Sequence, residues 1–318
     1  VRSRQQILEW EARWSLPSGI ASLLGVAALV AGGFAATKAS GDGSAAVLRA
    51  IHAHGSAAAF SGILQAIGFA LFAIPLFFLF RAAQSRESRV RAQLVGLVVI
   101  APLFLAVSSG LSIVARGEAA DQFVAGNAKS TLSPKEAHEE CASDLKDKGA
   151  KDFAGEYEAS QGQSPRVACE DRKSEDDEAS NALREASLSA ATSGFGVAGS
   201  LGLVIAFFYT GLWAMRTGLL NRFWASLGMA LGVTVLIGFI LFPMIWFIYF
   251  GLLLIGIVPG GRPPAWAAGE SIPWPTPGEK AAASLEGPDG DVVDVDPPPN
   301  GNGGADPGEE RRKRKQRD

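Results

Sequence analysis

Five stretches of this chain contain no Asp, Glu, Lys, Arg or His: residues 14–37, 55–80, 92–115, 186–215 and 223–261, together 143 of the 318 residues. A helix needs about 20 apolar residues to cross a hydrocarbon core, and every one of these stretches is long enough. The chain therefore reads as an all-α, polytopic transmembrane helical bundle. The same purity removes most marks of chemistry. Ionisable residues inside spans are the usual signs of ion paths, proton relays and catalysis, and these stretches hold none.

The pattern divides the chain into five parts. Residues 1–15 form a cytoplasmic interfacial arm and 16–115 hold transmembrane helices 1–3. Residues 116–190 form an extracellular acidic loop module, 191–260 hold helices 4–6, and 261–318 form a disordered, Pro-rich cytoplasmic tail with a basic end. The first span is expected to start near Pro17, a residue favoured in the first helical turn, and to end near Ala36. The fifth stretch is harder to place. Its 39 residues would make a helix of about 58 Å, nearly twice a ~30 Å core. Two short antiparallel helices breaking between Gly238 and Pro243 give six spans. One long tilted helix kinked at Pro243 gives five. Six is the reading adopted, with five as the alternative.

Basic residues set the expected orientation. Arg2, Arg4, Arg13, Arg81, Arg86, Arg89, Arg91, Arg216 and Arg222 fall on one side if the first four spans are real, against Lys38 and Arg49 in the short loop on the other. The positive-inside rule then puts the N-terminus in the cytoplasm. Trp213 and Trp224 bracket the Arg216–Arg222 loop, as in an interfacial aromatic belt. The first stretch does not read as a cleaved signal peptide. The arm before it carries Glu9, Glu11 and two tryptophans, and no good small-x-small cleavage site follows.

In the arm, Ile7, Trp10 and Trp14 share one helical face. That face is either a short interfacial helix or the lead-in to the first span. Residues 116–189 are too many for a connector and carry 17 acidic and 10 basic residues. Ser133-Pro134-Lys135-Glu136 is a capping box with proline at the first helical position. Gly149 is a natural stop, and Ala137, Cys141 and Leu145 make one apolar face between them. Ser174, before Glu175, Asp176 and Asp177, reads as a second helix start, with that helix running through Leu183 into the fourth span. Cys141 and Cys169 are the chain's only cysteines. An even pair on the oxidising side reads as a disulfide, which would contribute roughly 3–4 kcal/mol by closing the loop; two free thiols are the other reading.

No other constellation reaches chemical significance. His52 and His54 diverge on a helix, and His138-Glu139-Glu140-Cys141 lacks the second histidine of a zinc-protease motif. Ser200 between Gly199 and Gly202 has no histidine base in any span. No phosphate-binding or dinucleotide-binding glycine loop is present. No catalytic, cofactor-binding or metal-ligating residue is assigned, and no nucleic-acid partner. Gly228 and Gly232, and Gly194, Ala198 and Gly202, are spaced for close helix packing, within the bundle or in helix–helix self-association. The tail has Pro263-Pro264, Pro273-Trp274-Pro275 and Pro297-Pro298-Pro299, then Arg311-Arg312-Lys313-Arg314-Lys315. It is expected to be disordered from Arg262 on, with a basic end for anionic lipid or simply for solvent.

Three segments carry a resemblance: FRAAQSRESRVRAQLVG (residues 80–96), YTGLWAMRTGLLNRFWASLGMALG (209–232) and GGRPPAWAAGESIPWPTPGEK (260–280). The chain resembles a family of uncharacterised multi-pass membrane proteins from high-GC actinobacteria. That resemblance implies a bacterial plasma membrane and six spans, and carries no activity with it. Two functional classes stand. One is a non-enzymatic scaffold or sensor presenting the acidic outer module. The other is a transporter or channel subunit for a neutral or apolar solute, for which Gln65, Thr210 and Tyr249 are the candidate polar lining.

Overall fold

The computed structural model describes residues 3–158 and 162–274. Among them the chain is helical, with no strand. The helices are α1 (Arg4–Ala36), α2 (Ser44–Ala53), α3 (Gly55–Arg86), α4 (Val95–Val124), α5 (Pro134–Lys148) and α6 (Ala150–Glu156), then α7 (Pro165–Glu185), α8 (Ser189–Arg216), α9 (Arg222–Thr234), α10 (Leu241–Ile255) and α11 (Pro264–Ala268). Four helical runs are long and apolar enough to cross a membrane: Arg4–Ala39, Gly55–Arg86, Ala92–Val124 and Ser189–Arg216. Helices α9 and α10 are apolar but shorter.

Six helices close into a ring in the order α1, α3, α4, α8, α9, α10 and back to α1. Apolar side chains cannot drive this association in hydrocarbon, so close van der Waals approach and interhelical hydrogen bonds must. A glycine lies at every contact of the ring. A Cβ on Gly19 would stand 2.8 Å from the Gly251 carbonyl, and one on Gly68 would stand 2.9 Å from that of Gly25. Gly62 faces Ile113, Gly199 and Gly202 face α4, Gly211 and Gly232 join α8 to α9, and Gly228 faces Trp246. Hydroxyls add to this. Ser22 donates to the Phe247 carbonyl at 2.7 Å, and Ser61 to that of Gly32 at 2.8 Å. Aromatic rings fill the interior. Phe72 stacks on Phe247 at 3.7 Å, and Phe207 meets both Trp246 and Phe247 edge-on.

The ring has two dissimilar ends. The arm end collects the start of α1, the ends of α3, α8 and α10, and α11. The other, the module end, collects α2, the last turns of α4, α5–α7 and the start of α8. Because α9 and α10 pack against each other as a hairpin, the chain leaves α10 at the end where it entered α1.

Several expectations need correction. Of the two readings of the arm, the lead-in to the first span holds and the separate interfacial helix does not. Helix α1 starts at a Ser3–Gln6 capping box and runs unbroken through Pro17 to Ala36, so Pro17 sits inside the helix rather than at its first turn. The fifth stretch does break, at Gly238 in the left-handed region (φ 80°). There the Thr234 hydroxyl lies 2.7 Å from the Leu231 carbonyl and 3.1 Å from that of Phe239. Ser174 does not start a helix. Helix α7 begins ten positions earlier on a Ser164 cap with Pro165 at its first turn. Nor does α7 run into α8. The chain breaks at 186–188, where Glu118 accepts the Ser187 N–H and hydroxyl at 3.1 and 2.5 Å.

The tail is not featureless from Arg262. Residues 262–274 fold back over the arm end. Arg262 donates to the Leu253 and Leu254 carbonyls, capping α10. The indoles of Trp266 and Trp274 donate to the carbonyls of Leu219 and Leu220, each at 2.9 Å. The Ile272 N–H reaches the Thr217 carbonyl at 3.2 Å. Gly218 is required at this junction: its φ is 75°, and a Cβ there would lie 1.9 Å from the Ile272 carbonyl. The tail from residue 275 on, with its Pro-rich and basic segments, lies outside the described residues.

Glycine contact across the ring makes a direct prediction. Gly68→Ala should lower thermal stability in detergent by about 1–3 kcal/mol, the usual cost of overpacking. Gly33→Ala, with no atom within 4 Å of the added carbon, should stay within about 0.5 kcal/mol of the parent. Equal effects at the two positions would refute the close-packed ring.

Candidate functional site

The module end is where polar side chains are organised. Its first core is apolar: Leu48 and Ile51 of α2, Ala119 and Phe123 of α4, and Ala179 and Ala182 of α7 are buried together. Helix α4 supplies this platform by running past Arg116 to Val124, beyond the expected end of the third span. Helix α2 comes from the short loop around Arg49, which the sequence pattern did not assign to the module. Asp176 accepts the Ala45 N–H at 2.9 Å at the start of α2, and Arg49 pairs with Glu175 at 2.6 Å.

The second core is the disulfide. Cys141 on α5 and Cys169 on α7 are bonded, with Cα atoms 6.0 Å apart and both residues fully buried. Phe153 and Tyr157 cover the bond. Helix α5 forms as its signals dictate: Ser133 and Glu136 complete the capping box, and Gly149 ends it at φ 79°. The pairing fixes α5 against α7 in a module whose apolar cores are small.

Electrostatics complete it. Lys173 lies 3.3 Å from both Glu140 and Asp144, and His138 lies 2.8 Å from Glu170. Burial pushes the Asp144 carboxyl up, but hydrogen bonds from Tyr157 and Lys173 outweigh it and hold the group below its ordinary value. Burial likewise raises Asp177. It is outweighed by the Ser130 and Thr131 hydroxyls and the N–H groups of Leu132 and Thr131, all donating to this carboxylate, so Asp177 also sits low. Burial pushes the Tyr157 hydroxyl up, and its hydrogen bond to Asp144 adds to that.

An open cleft of about 510 Å³ lies beside Tyr157, bordered by Glu156, Glu158, Asp171, Arg172 and Glu175. Arg172 donates to the backbone carbonyls of Glu156 and Asp42, at 3.3 Å each. The cleft's border is rich in carboxylates. Among the described residues, no three of His, Cys, Asp and Glu converge as metal ligands would. His52 instead meets Asp121 at 3.0 Å, and His54 its own helix.

The residues considered for a solute path are otherwise engaged. The Thr210 hydroxyl, 1% exposed, donates to the Ala206 carbonyl one turn back. The Gln65 amide donates to Ser61 at 3.1 Å. Tyr249 stacks on Trp224 at 3.6 Å. Of the glycines flagged by spacing, Gly202, Gly228 and Gly232 face neighbouring helices of the ring, whereas a Cβ on Gly194 would meet nothing within 4 Å.

At the arm end, sequence reasoning missed the most buried ion pair among the described residues. Arg86 and Glu11 form a bidentate ion pair with side chains 0% and 5% exposed. Arg86 also donates to the Ala82 and Ala265 carbonyls at 3.0 and 2.9 Å, and its guanidinium lies over the Trp266 ring. Counting Arg86 as a loop charge hid this role.

No family model matches the chain, and no curated protein or solved structure is similar to it.

The module's stability should depend on the disulfide and on pH. Reduction, or Cys141→Ala with Cys169→Ala, should cost it roughly 3–4 kcal/mol. Limited proteolysis would show this as cleavage within 116–189 while the bundle stays intact. Asp144 and Asp177 titrate below the 3.8 of a free aspartate. Their contribution is complete above that pH and is lost as pH falls through their folded values. Thermal melts should therefore be flat above about pH 5 and fall below about pH 4, and Asp177→Asn should flatten the acid limb. An unchanged melt on reduction, or an acid limb identical in Asp177→Asn, would contradict this account.

Proposed function

We propose that the chain is a six-span plasma-membrane protein with both termini cytoplasmic, acting without catalysis as a scaffold or sensor that presents the disulfide-closed module outside the cell. The single observation that carries this reading is the division of labour between the two ends and the middle. The ring interior is filled by stacked aromatic side chains, with the Thr210 hydroxyl bonded inside it and the Gln65 amide bonded to Ser61 at the α1–α3 contact. The module has two cores and, among the described residues, all the ion pairs but the one between Glu11 and Arg86.

Six crossings are favoured over five by the hairpin of α9 and α10. It returns the chain to the arm end, where Thr217 and Ile272 are bonded. Each helix is short, with 13 and 15 residues, or about 20 and 22 Å. The hairpin therefore calls for local thinning of the bilayer, a known response to short spans. Orientation follows from the arginine asymmetry, which survives the removal of Arg86 into an ion pair. Membrane lipid is the obligatory partner. Helix–helix self-association and contact of the basic tail end with anionic lipid belong to the same reading.

Two measurements check it. Ser88→Cys should react with a membrane-impermeant thiol reagent only after the cells are opened, and Lys151→Cys in intact cells; the reverse pattern would overturn the orientation. Liposomes containing the full chain should take up glycerol and urea at the rate of empty liposomes. A clear protein-dependent flux would move the assignment to the transporter class.

A further inference from the structure

We propose that a groove in the bundle wall near the arm end is a binding site for one acyl chain of an anionic phospholipid. This goes beyond the scaffold reading and rests on its claim that the ring lies in a membrane. The groove has a volume of about 360 Å³, within the roughly 300–1,000 Å³ of small-molecule sites. Helix α1 supplies one wall through Trp10, Trp14 and Ser18, spaced four apart along one face. Helix α3 supplies the other through Ile74, Phe77 and Phe78, and Val99 of α4 contributes to the lining. Trp10 stacks on Phe78 at 5.2 Å, which in turn stacks on Trp266, so the arm-end part of the groove has a rigid aromatic back.

The opening faces outward from the ring. Trp14, Ile74 and Phe77 are 47%, 39% and 37% exposed. From Trp10 to Ser18 the helix rises about 12 Å, so the groove runs along the bundle axis, the direction of an acyl chain in a bilayer. It is lined almost wholly by apolar side chains, and bulk lipid alone would satisfy that lining. Charge selects the headgroup. Arg81 lies one turn beyond Phe77 toward the arm end, with its guanidinium 5.9 Å from the Phe77 ring centre and one N–H on Gln84. Arg13 is exposed and directly precedes Trp14. Among the described residues neither arginine forms a salt bridge, whereas Arg86 and Arg49 each do. Arg81 packs beside the groove's Phe77 and Arg13 adjoins its Trp14 in the chain, and two cations without carboxylate partners next to an apolar groove complement a phosphate carried on a hydrocarbon chain. A guanidinium suits that phosphate through its planar fork of donors.

The test uses the full chain in nanodiscs of phosphatidylcholine containing a minor fraction of phosphatidylglycerol brominated in its acyl chains. Bromine quenches nearby indole fluorescence. The Trp10 and Trp14 signal is taken as the difference from the Trp10→Phe/Trp14→Phe variant. Selective occupancy predicts quenching well above that given by the same fraction of brominated phosphatidylcholine. Arg13→Gln with Arg81→Gln, at an exposed and a half-buried position, should weaken the preference by about fivefold per arginine removed. Equal quenching by the two lipids, or a preference unchanged in the arginine variant, overturns the proposal. So does crosslinking of Phe77→Cys between two copies, which would make a second chain the occupant. In discs made wholly of brominated phosphatidylcholine, Trp14 should be quenched whatever its selectivity. Failure there would remove the membrane reading itself rather than this site alone.

Discussion

The Glu11–Arg86 pair is the contact on which the arm end depends. Two charges taken out of water lose several kcal/mol of hydration each, and only complete geometry offsets that loss. The geometry here is nearly complete. Both carboxylate oxygens accept from the guanidinium, and the remaining terminal N–H groups reach the carbonyls of Ala82 and Ala265. Only the Arg86 Nε lacks an acceptor among the described residues. The pair thus fixes the start of α1 against the end of α3 and holds α11 across both. Losing either partner would leave an uncompensated charge in an apolar end, at about 3–5 kcal/mol.

From that anchor the ring follows. With α1 and α3 in register, Gly25 meets Gly68 and Gly32 meets Ser61. The other face of α1 takes α10 through Gly19 and Gly251, and α9 and α8 close the circle. Trp266 and Trp274 then seal the arm end by bonding the carbonyls of Leu219 and Leu220. What remains open and charged is the opposite end. There Asp177, Glu175 and the Cys141–Cys169 bond organise a surface that the bundle merely carries.

Much of this was legible in the sequence. Uncharged length revealed the long helices, Gly238 the break between α9 and α10, and Ser133 with Pro134 and Gly149 the limits of α5. The cysteine pair revealed its bond. One miss is local: Ser164-Pro165 carries the same start signal as Ser133-Pro134, and the acids after Ser174 drew the reading instead. The others are non-local. That Glu118 would clamp Ser187 and end α7 depends on α4 extending beside it. Glu11 and Arg86 are 75 residues apart in the chain, and each looks like an ordinary interfacial charge until the helices are placed. The tail composition from Arg262 reads as unstructured, because its two tryptophans find their acceptors only on the α8–α9 turn. Composition records what a segment cannot bury by itself, and says little of what a neighbouring surface offers it.

The central claim is that the bundle is a sealed, packed platform rather than a conduit. Substituted-cysteine accessibility tests it most directly, since the two native cysteines are bonded to each other and give no background. Single cysteines at Ala206 and Thr210, buried at 0% and 1% exposure, should resist a small water-soluble thiosulfonate for as long as the protein stays folded. A cysteine at the exposed Ser88 should react at once. Rapid modification at Ala206 and Thr210 in the intact protein would mean that water reaches the middle of the ring, and would contradict the account.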